Sequence, residues 1–337
     1  MNKYYIILLL ILLFNLFKTN SLSKLKRQPK IAIALYKNKQ NYKNILHLSK
    51  KIFPNTELVQ KNKKYDLLYT STYLVPNLVK YSKFNWIQWN KIITLTKKNI
   101  FTKYILKNNL TKYYPETILI GYNDKLIPKF QKKYKYFFIK KNLDAKKGLR
   151  IVKKINTEKD DIIIQPVLDL KTLHGHRFII RTYWLIKNNQ VYLFKDGKIQ
   201  YCPKKYNNNP LDMKSIINYQ LTNEEKNKQK NFVNLMSKLP NYDNILNQLL
   251  KFTKKFIKNN NYIGKDSKYN KYNQYILIGL DIAIKKNNRI SIIEINTNPG
   301  MGKRWKSWKK LAYEMFDSMF NIILYDNDVN QQFIYVK

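Results

Sequence analysis

At 337 residues, with 44% apolar residues and 27 Tyr, 16 Phe and 5 Trp, the chain has material for two or three sub-domains around a shared core, which excludes a disordered polymer. Its formal net charge of +43 points to an acidic partner, with nucleic acid, anionic membrane and acidic protein tails as candidates, although heavy use of Lys, Asn, Ile and Tyr also suggests a biased genome. The single cysteine, Cys202, excludes an intramolecular disulfide framework and suits a reducing compartment.

Residues 4–17 form an apolar run broken only by Asn15, followed by Lys18, Lys24, Lys26, Arg27 and Lys30. Fourteen helical residues span about 21 Å, short of a bilayer core of about 30 Å. The run reads as a secretory signal, which would place the chain in the secretory lumen, or as a membrane-associated anchor whose flanking charge keeps the body cytoplasmic. Residues 24–94 alternate apolar and polar runs (Ile31 to Tyr36, Ile45 to Ile52, Asp66 to Tyr69, Trp86 to Trp89) in strand, helix, strand order, predicting a small α/β domain without a catalytic constellation.

A second segment opens at Leu95-Thr96-Lys97-Lys98-Asn99, continues as a helix through Ile100, Tyr104, Ile105 and Leu106, and reaches Tyr113-Tyr114-Pro115-Glu116-Thr117. Tyr136 to Lys140 predicts a strand ending in lysines. With the glycine-bearing loop after it and a strand at Leu149 to Val152, it can fold as a flap over a polyphosphate, offering backbone N–H groups and lysine charge. Asp161 to Val167 reads as a buried strand ending near Pro166. In His174-Gly175-His176-Arg177-Phe178-Ile179-Ile180-Arg181-Thr182-Tyr183, alternation points Arg177, Ile179, Arg181 and Tyr183 one way, so two guanidiniums share a face suited to phosphate or carboxylate. His174 and His176 lack the further ligands that zinc requires. A hairpin turn at Lys187-Asn188-Asn189 and a turn at Asp196-Gly197 follow.

Residues 223–261 predict a helical insertion or outer helix in which Phe232, Leu235, Met236 and Leu239 have helical spacing. Tyr275 to Ile284 and Ile290 to Asn296 then predict two strands joined at Lys285-Asn288 by a loop of two or four residues. Either loop sets Ile292 opposite Asp281 and Glu294 opposite Gly279, leaving the two carboxylates diagonal neighbours roughly 7–8 Å apart. Asp281, Glu294 and Asn296 offer only oxygen donors on one face, a set suited to magnesium rather than zinc; a solvated face of an edge hairpin is the other reading. Trp305 to Leu324 predicts a closing amphipathic helix through Leu311, Met315, Met319 and Ile322, and residues 327–337 form a tail.

Gly279-Leu280-Asp281 with Glu294-Ile295-Asn296-Thr297-Asn298-Pro299-Gly300 resembles the metal-binding end of ATP-grasp ligases, in particular the tubulin tyrosine ligase-like family. Lys97-Lys98, the Tyr-Pro-x-Thr stretch, Lys140, Gln165 with Val167, and the Arg177 to Arg181 strand are similar to its motifs in the same order. The resemblance implies an α/β (α+β) chain of ATP-grasp architecture: a small N-terminal α/β domain (24–94), a central domain with a phosphate flap (95–165) and a C-terminal ATP-grasp domain (166–326, with 223–261 inserted). It implies ATP and two Mg²⁺ ions as cofactors. Asp281, Glu294 and Asn296 would hold the metal; Lys98, Lys140, Gln165, Val167, Arg177 and Asn218 would contact the nucleotide; Arg181 and Glu294 would act in catalysis, Arg181 on an acyl phosphate or amino acid carboxylate.

What the family does implies an acid–amino acid ligase. It phosphorylates a carboxylate and lets an amine displace the phosphate, adding Glu, Gly or Tyr to an acidic protein tail such as that of tubulin. The expected partners are that tail and a free amino acid, with the chain a monomer, nucleic acid disfavoured and residues 4–17 available for membrane association. The sequence departs from the family pattern where Lys141 replaces proline, Pro166 lysine, Ile179 aspartate and Gln200 arginine. These departures motivate an alternative, a catalytically impaired ATP-grasp protein that binds an acidic partner.

Overall fold

The computed structural model describes residues 29–34, 46–47, 49–58, 60, 63–70, 82–86, 97–141, 149–156, 162–216, 222–229, 231–258, 273–297, 299, 306–328 and 330–336. The apolar run 4–17, the loop 142–148, Trp89, Asn218 and Trp305 lie outside them. Strands β1 (Ile31–Ala34), β2 (Glu57–Leu58), β3 (Tyr65–Thr70) and β4 (Ser82–Trp86) are followed by helix α1 (Lys98–Lys107). Next come β5 (Ile118–Leu119), α2 (Ile127–Lys133), β6 (Phe137–Lys140), β7 (Leu149–Val152) and β8 (Ile163–Pro166). Strands β9 (Thr172–Leu173), β10 (His176–Lys187), β11 (Gln190–Phe194) and β12 (Lys198–Tyr201) lead to helices α3 (Met213–Ile216), α4 (Asn223–Lys228) and α5 (Tyr242–Lys258). The chain closes with β13 (Asn273–Ile284), β14 (Ile290–Asn296), α6 (Lys306–Tyr325) and β15 (Phe333–Val336).

Among the described residues these strands make two sheets, and the mixture of helix and sheet is the α+β class expected. The large sheet runs β15-β11-β10-β13-β4-β3-β1-β2, with β14 paired to β13, and with β12 and β9 to β10. β13 pairs in parallel with β4, so the N-terminal strands and the carboxyl-terminal ones are one hydrogen-bonded surface. The small sheet, β5-β8-β6-β7, carries its own apolar cluster of Ile118, Phe130, Phe137, Ile139, Ile162 and Ile164.

Strand β10 shows why the large sheet has a buried face and an opening one. On its even face Trp184 stacks on Phe252 of α5 and donates its indole N–H to Thr253 at 3.0 Å. Helix α5 presents Ile245, Leu249, Phe252 and Phe256 at helical spacing to that face, all buried. The 223–261 stretch is therefore not a single outer helix. Chain from Phe232 to Leu235 is extended, Leu235 bridging Lys198, and α5 belongs to the main core because the apolar face of β10 needs a cover. On the odd face, the far end is covered by α6, whose last carbonyls are met by the buried Lys187: its ammonium donates to Ile322 O and pairs with Asp326. Leu311, Met315, Met319 and Ile322 of α6 are buried as their spacing predicts. The near end of the odd face stays open, and there Ile179 and Arg181 are only partly covered.

Two hairpins set register. Lys187 pairs with Gln190 across the two-residue turn Asn188-Asn189, with Asn188 at φ 53°. The β13–β14 loop corrects the sequence expectation: it holds three residues, Lys286-Asn287-Asn288, closed by Lys285 N–H donating to Arg289 O at 2.9 Å, with Asn288 at φ 63°. This sets Ile284 opposite Ile290 and Ile282 opposite Ile292. In that register alone Glu294 would face the core beside Leu280. A bulge between Asp281 and Ile282 places one extra residue, Ile293, in β14 and returns Glu294 to the open face.

Candidate active site

Three strands place the charged row of the site. Arg181 of β10 pairs with Asp281 of β13, and Asp281 pairs on its other side with Glu294 of β14. The expected diagonal placement is thus replaced by a direct one, and Asn296 rather than Glu294 stands opposite Gly279. The cause is the bulge at Ile293.

Asp281, 3% exposed, takes two hydrogen bonds from Arg181: Nε at 2.7 Å and Nη2 at 2.6 Å. The Asn296 amide lies 3.5 Å from Asp281 Oδ2 and 3.3 Å from Glu294 Oε1. Burial works against the Arg181 charge, but the Asp281 carboxylate outweighs it and holds the guanidinium strongly protonated. Burial raises the Asp281 carboxyl pKa; Arg181 pulls it down, Glu294 pushes it up, and the upward direction prevails. Two carboxylates therefore share one guanidinium, an excess of negative charge that a divalent cation relieves.

The donor set fits such a cation. Among the described residues there is no cluster of three or more His, Cys, Asp or Glu. The two carboxylates and an amide that can present its oxygen instead match a hard ion that keeps water and phosphate oxygens in its remaining positions. Gly279 leaves room beside them. A Cβ there would stand 2.7 Å from Pro299 Cβ, so the glycine lets Pro299 pack against the row.

The small sheet supplies the opposite wall. Lys140 pairs with Ile163 and Phe138 with Gln165, so Lys140, Phe138, Ile163 and Gln165 share the face turned away from the small core. Burial lowers the Lys140 ammonium pKa to about 8; Glu294 opposes that shift and Lys98, at the start of α1, adds to it. Glu294 and Lys98 thus both lie within electrostatic reach of Lys140.

The other expected nucleotide contacts divide. Gln165 is buried, and its amide Nε2 donates to Thr117 Oγ1 at 2.9 Å, so its side chain serves the protein. Val167 donates its N–H to Tyr136 O at 3.0 Å, and Pro166 has none to give. Asn218 lies outside the described residues. Arg177, 2% exposed, stacks 3.9 Å from the Tyr206 ring centre, and its Nε and Nη1 have no hydrogen-bond partner among the described residues. Burial lowers its pKa, which Tyr206 and Cys202 oppose. Two buried donor nitrogens without a partner among the described residues are suited to receiving an anion. Ile179 stands opposite Gln200 across β10 and β12, so two departures from the family pattern are cross-strand neighbours. His176 is engaged with Cys202 O at 2.9 Å and His174 stacks on Phe232, which accounts for both without a metal.

Sequence reasoning passed over Tyr114, Thr102 and Tyr206. Tyr114, buried on Phe101, has its hydroxyl 3.0 Å from Thr102 Oγ1. Burial pushes its pKa up to about 12; the hydrogen bond with Thr102 pulls the other way, and Glu294 adds to the rise. The Tyr-Pro-x-Thr stretch was a signal for Tyr114. Nothing local marks Thr102 or Tyr206.

An oxygen-only donor row on one sheet, within electrostatic reach of Lys140 on a second, smaller sheet and of Lys98 on α1, is the arrangement of the ATP-grasp class. The tubulin-tyrosine ligase family matches residues 78–332, well over half the chain, and the chain belongs to that family. Its members are ATP-grasp-type ligases that act on proteins and use ATP with Mg²⁺. No single curated protein matches the chain.

Proposed function

We propose that this ligase joins an amino acid to an acidic protein tail through an acyl phosphate. The observation that carries the reading is the row Arg181–Asp281–Glu294–Asn296 lying within the electrostatic reach of Lys140 and Lys98. Asp281, Glu294 and Asn296 would hold Mg²⁺, one ion or two, which when bound neutralises charge on the transferring phosphoryl group. Lys140 and Lys98 would grip the phosphates, and Arg177 offers its unpartnered nitrogens to a further anionic oxygen. Arg181 is committed to Asp281 through Nε and Nη2, leaving Nη1 for a carboxylate or acyl phosphate in the cleft. No covalent nucleophile is needed, because the carboxylate attacks the phosphoryl group directly and the incoming amine then expels phosphate.

The +43 charge supports an acidic acceptor, drawn in by an attraction that salt screens. Membrane association through residues 4–17 is a separate proposal; among the described residues no helix is long and apolar enough to cross a membrane. The test supplies a Glu-rich acceptor peptide, Mg-ATP and each candidate amino acid, and follows ADP release. Turnover lost in Glu294→Gln supports the reading, and unchanged turnover in that variant overturns it.

A second reading, a basic binding module with impaired catalysis, draws on the Ile179–Gln200 pair, which puts two uncharged side chains where the family pattern has an aspartate and an arginine. A chain that binds the acidic peptide without any thermal shift in Mg-ATP belongs to it.

A further inference from the structure

The two lysines of the clamp ride on different elements, and like charges brought together push those elements apart. Lys98 opens α1, and Thr102, four residues on, lies on the same helix face one turn away. Lys140 is on β6, and Gln165, on the neighbouring β8, shares its sheet face one pair further along. The Tyr114 hydroxyl lies 3.0 Å from Thr102 Oγ1. Gln165 donates to Thr117 Oγ1 at 2.9 Å, and Thr117 Oγ1 donates to Pro115 O at 2.6 Å, so Gln165 holds the far end of the segment Tyr114 to Thr117. All of Thr102, Tyr114, Thr117 and Gln165 are buried.

We propose that Tyr114 is the positioning residue of the phosphate clamp: its hydroxyl ties α1 to the segment Tyr114 to Thr117, which Gln165 of β8 holds through Thr117, so that Lys98 and Lys140 keep a fixed separation in front of Glu294. This rests on the reading of Lys98, Lys140 and Glu294 as nucleotide machinery. Physically, the tie has to be neutral. A charged strut beside two lysines and two carboxylates would itself perturb the field it is meant to hold, whereas a buried hydroxyl bonded to a second hydroxyl is directional and uncharged. The short 3₁₀ turn Thr111–Tyr113 packs against β14, which seats Tyr114 at the junction of helix, small sheet and metal strand.

The experiment uses the full chain and calorimetric titration with Mg-ATP, Mg-ADP and adenosine. Tyr114→Phe removes only the hydroxyl and leaves the buried Thr102 short of its side-chain partner, so Mg-ATP and Mg-ADP affinity should fall about 10-fold while adenosine binding, which needs no lysine, stays within about twofold. Thr102→Val should reproduce that pattern, Thr102→Ser should restore wild-type affinity, and Tyr114→Phe with Thr102→Val should be no worse than either alone. Wild-type Mg-ATP affinity in Tyr114→Phe overturns the proposal while leaving the nucleotide reading intact. Equal loss of adenosine and ATP also overturns it, since that marks general loosening. A wild-type chain that binds no Mg-ATP overturns the nucleotide reading and the clamp with it.

Discussion

The two walls of the cleft are built on opposite principles. The large-sheet wall is central to the molecule: β13 is hydrogen-bonded along both sides, and its Asp281 is pinned by a bidentate ion pair over a core that α5 and α6 seal. The small-sheet wall stands on a separate, smaller apolar cluster, and its functional lysine is held without any carboxylate partner at hydrogen-bond distance on its own sheet. On the proposed function, rigidity on one side and looser placement on the other would let the carboxylate row stay fixed while the lysine wall adjusts to its ligand.

Breaking the rigid wall should have the largest effect. Asp281→Asn leaves Arg181 buried without its counter-ion and should cost about 3 kcal/mol or more in urea unfolding, with turnover abolished. Glu294→Gln should keep the fold, since Glu294 is partly exposed, yet lower turnover by about 100-fold, the scale of removing a transition-state charge stabiliser. A milder probe of the same wall is Gly279→Ala, whose Cβ would overlap Pro299; overpacking should cost about 1–3 kcal/mol and displace Pro299, read as a lower melting temperature and weaker Mg-ATP binding.

The looser wall should show itself in pH rather than in stability. With its pKa at about 8, Lys140 is charged below that value and loses its charge above it, so Mg-ATP affinity should fall as pH rises from 7 to 9, and a Lys140→Met variant should bind weakly with that dependence removed. The folding linkage runs the other way. Between about 8 and the ordinary value of 10.5 the unfolded chain binds more protons at this lysine than the folded one, so its contribution to stability rises with pH across that window. The smallest effect belongs to neither wall: Lys228→Ala, which breaks the exposed pair with Glu224 in α4, should change stability by less than about 0.5 kcal/mol.

Much of this was legible in one dimension. Alternation along Tyr275–Ile284 and His174–Tyr183 put Asp281 and Arg181 on opening faces, and the 3.6-residue spacing of Leu311, Met315, Met319 and Ile322 foretold α6. The hairpin register was not, because a loop of two, three or four residues fits Lys285-Asn288 equally well and a bulge at Ile293 has no local signature. Nor was the burial of α5, whose stretch is rich in Lys and Asn; four apolar residues on one face outweigh that composition once β10 needs a cover.

The order of apolar and polar residues by itself determined which segments are strands and helices, which carboxylates and guanidiniums turn toward open faces, and which family motif series the chain carries. Only the tertiary structure decided that Glu294 stands directly beside Asp281, that Arg181 is bound to that acid, that Gln165 turns inward, and that the Tyr114 hydroxyl meets Thr102 of α1. The reason is that side-chain period is a local property of the backbone, whereas register across strands, and the meeting of residues a hundred positions apart, depend on which partner surface each face is obliged to bury.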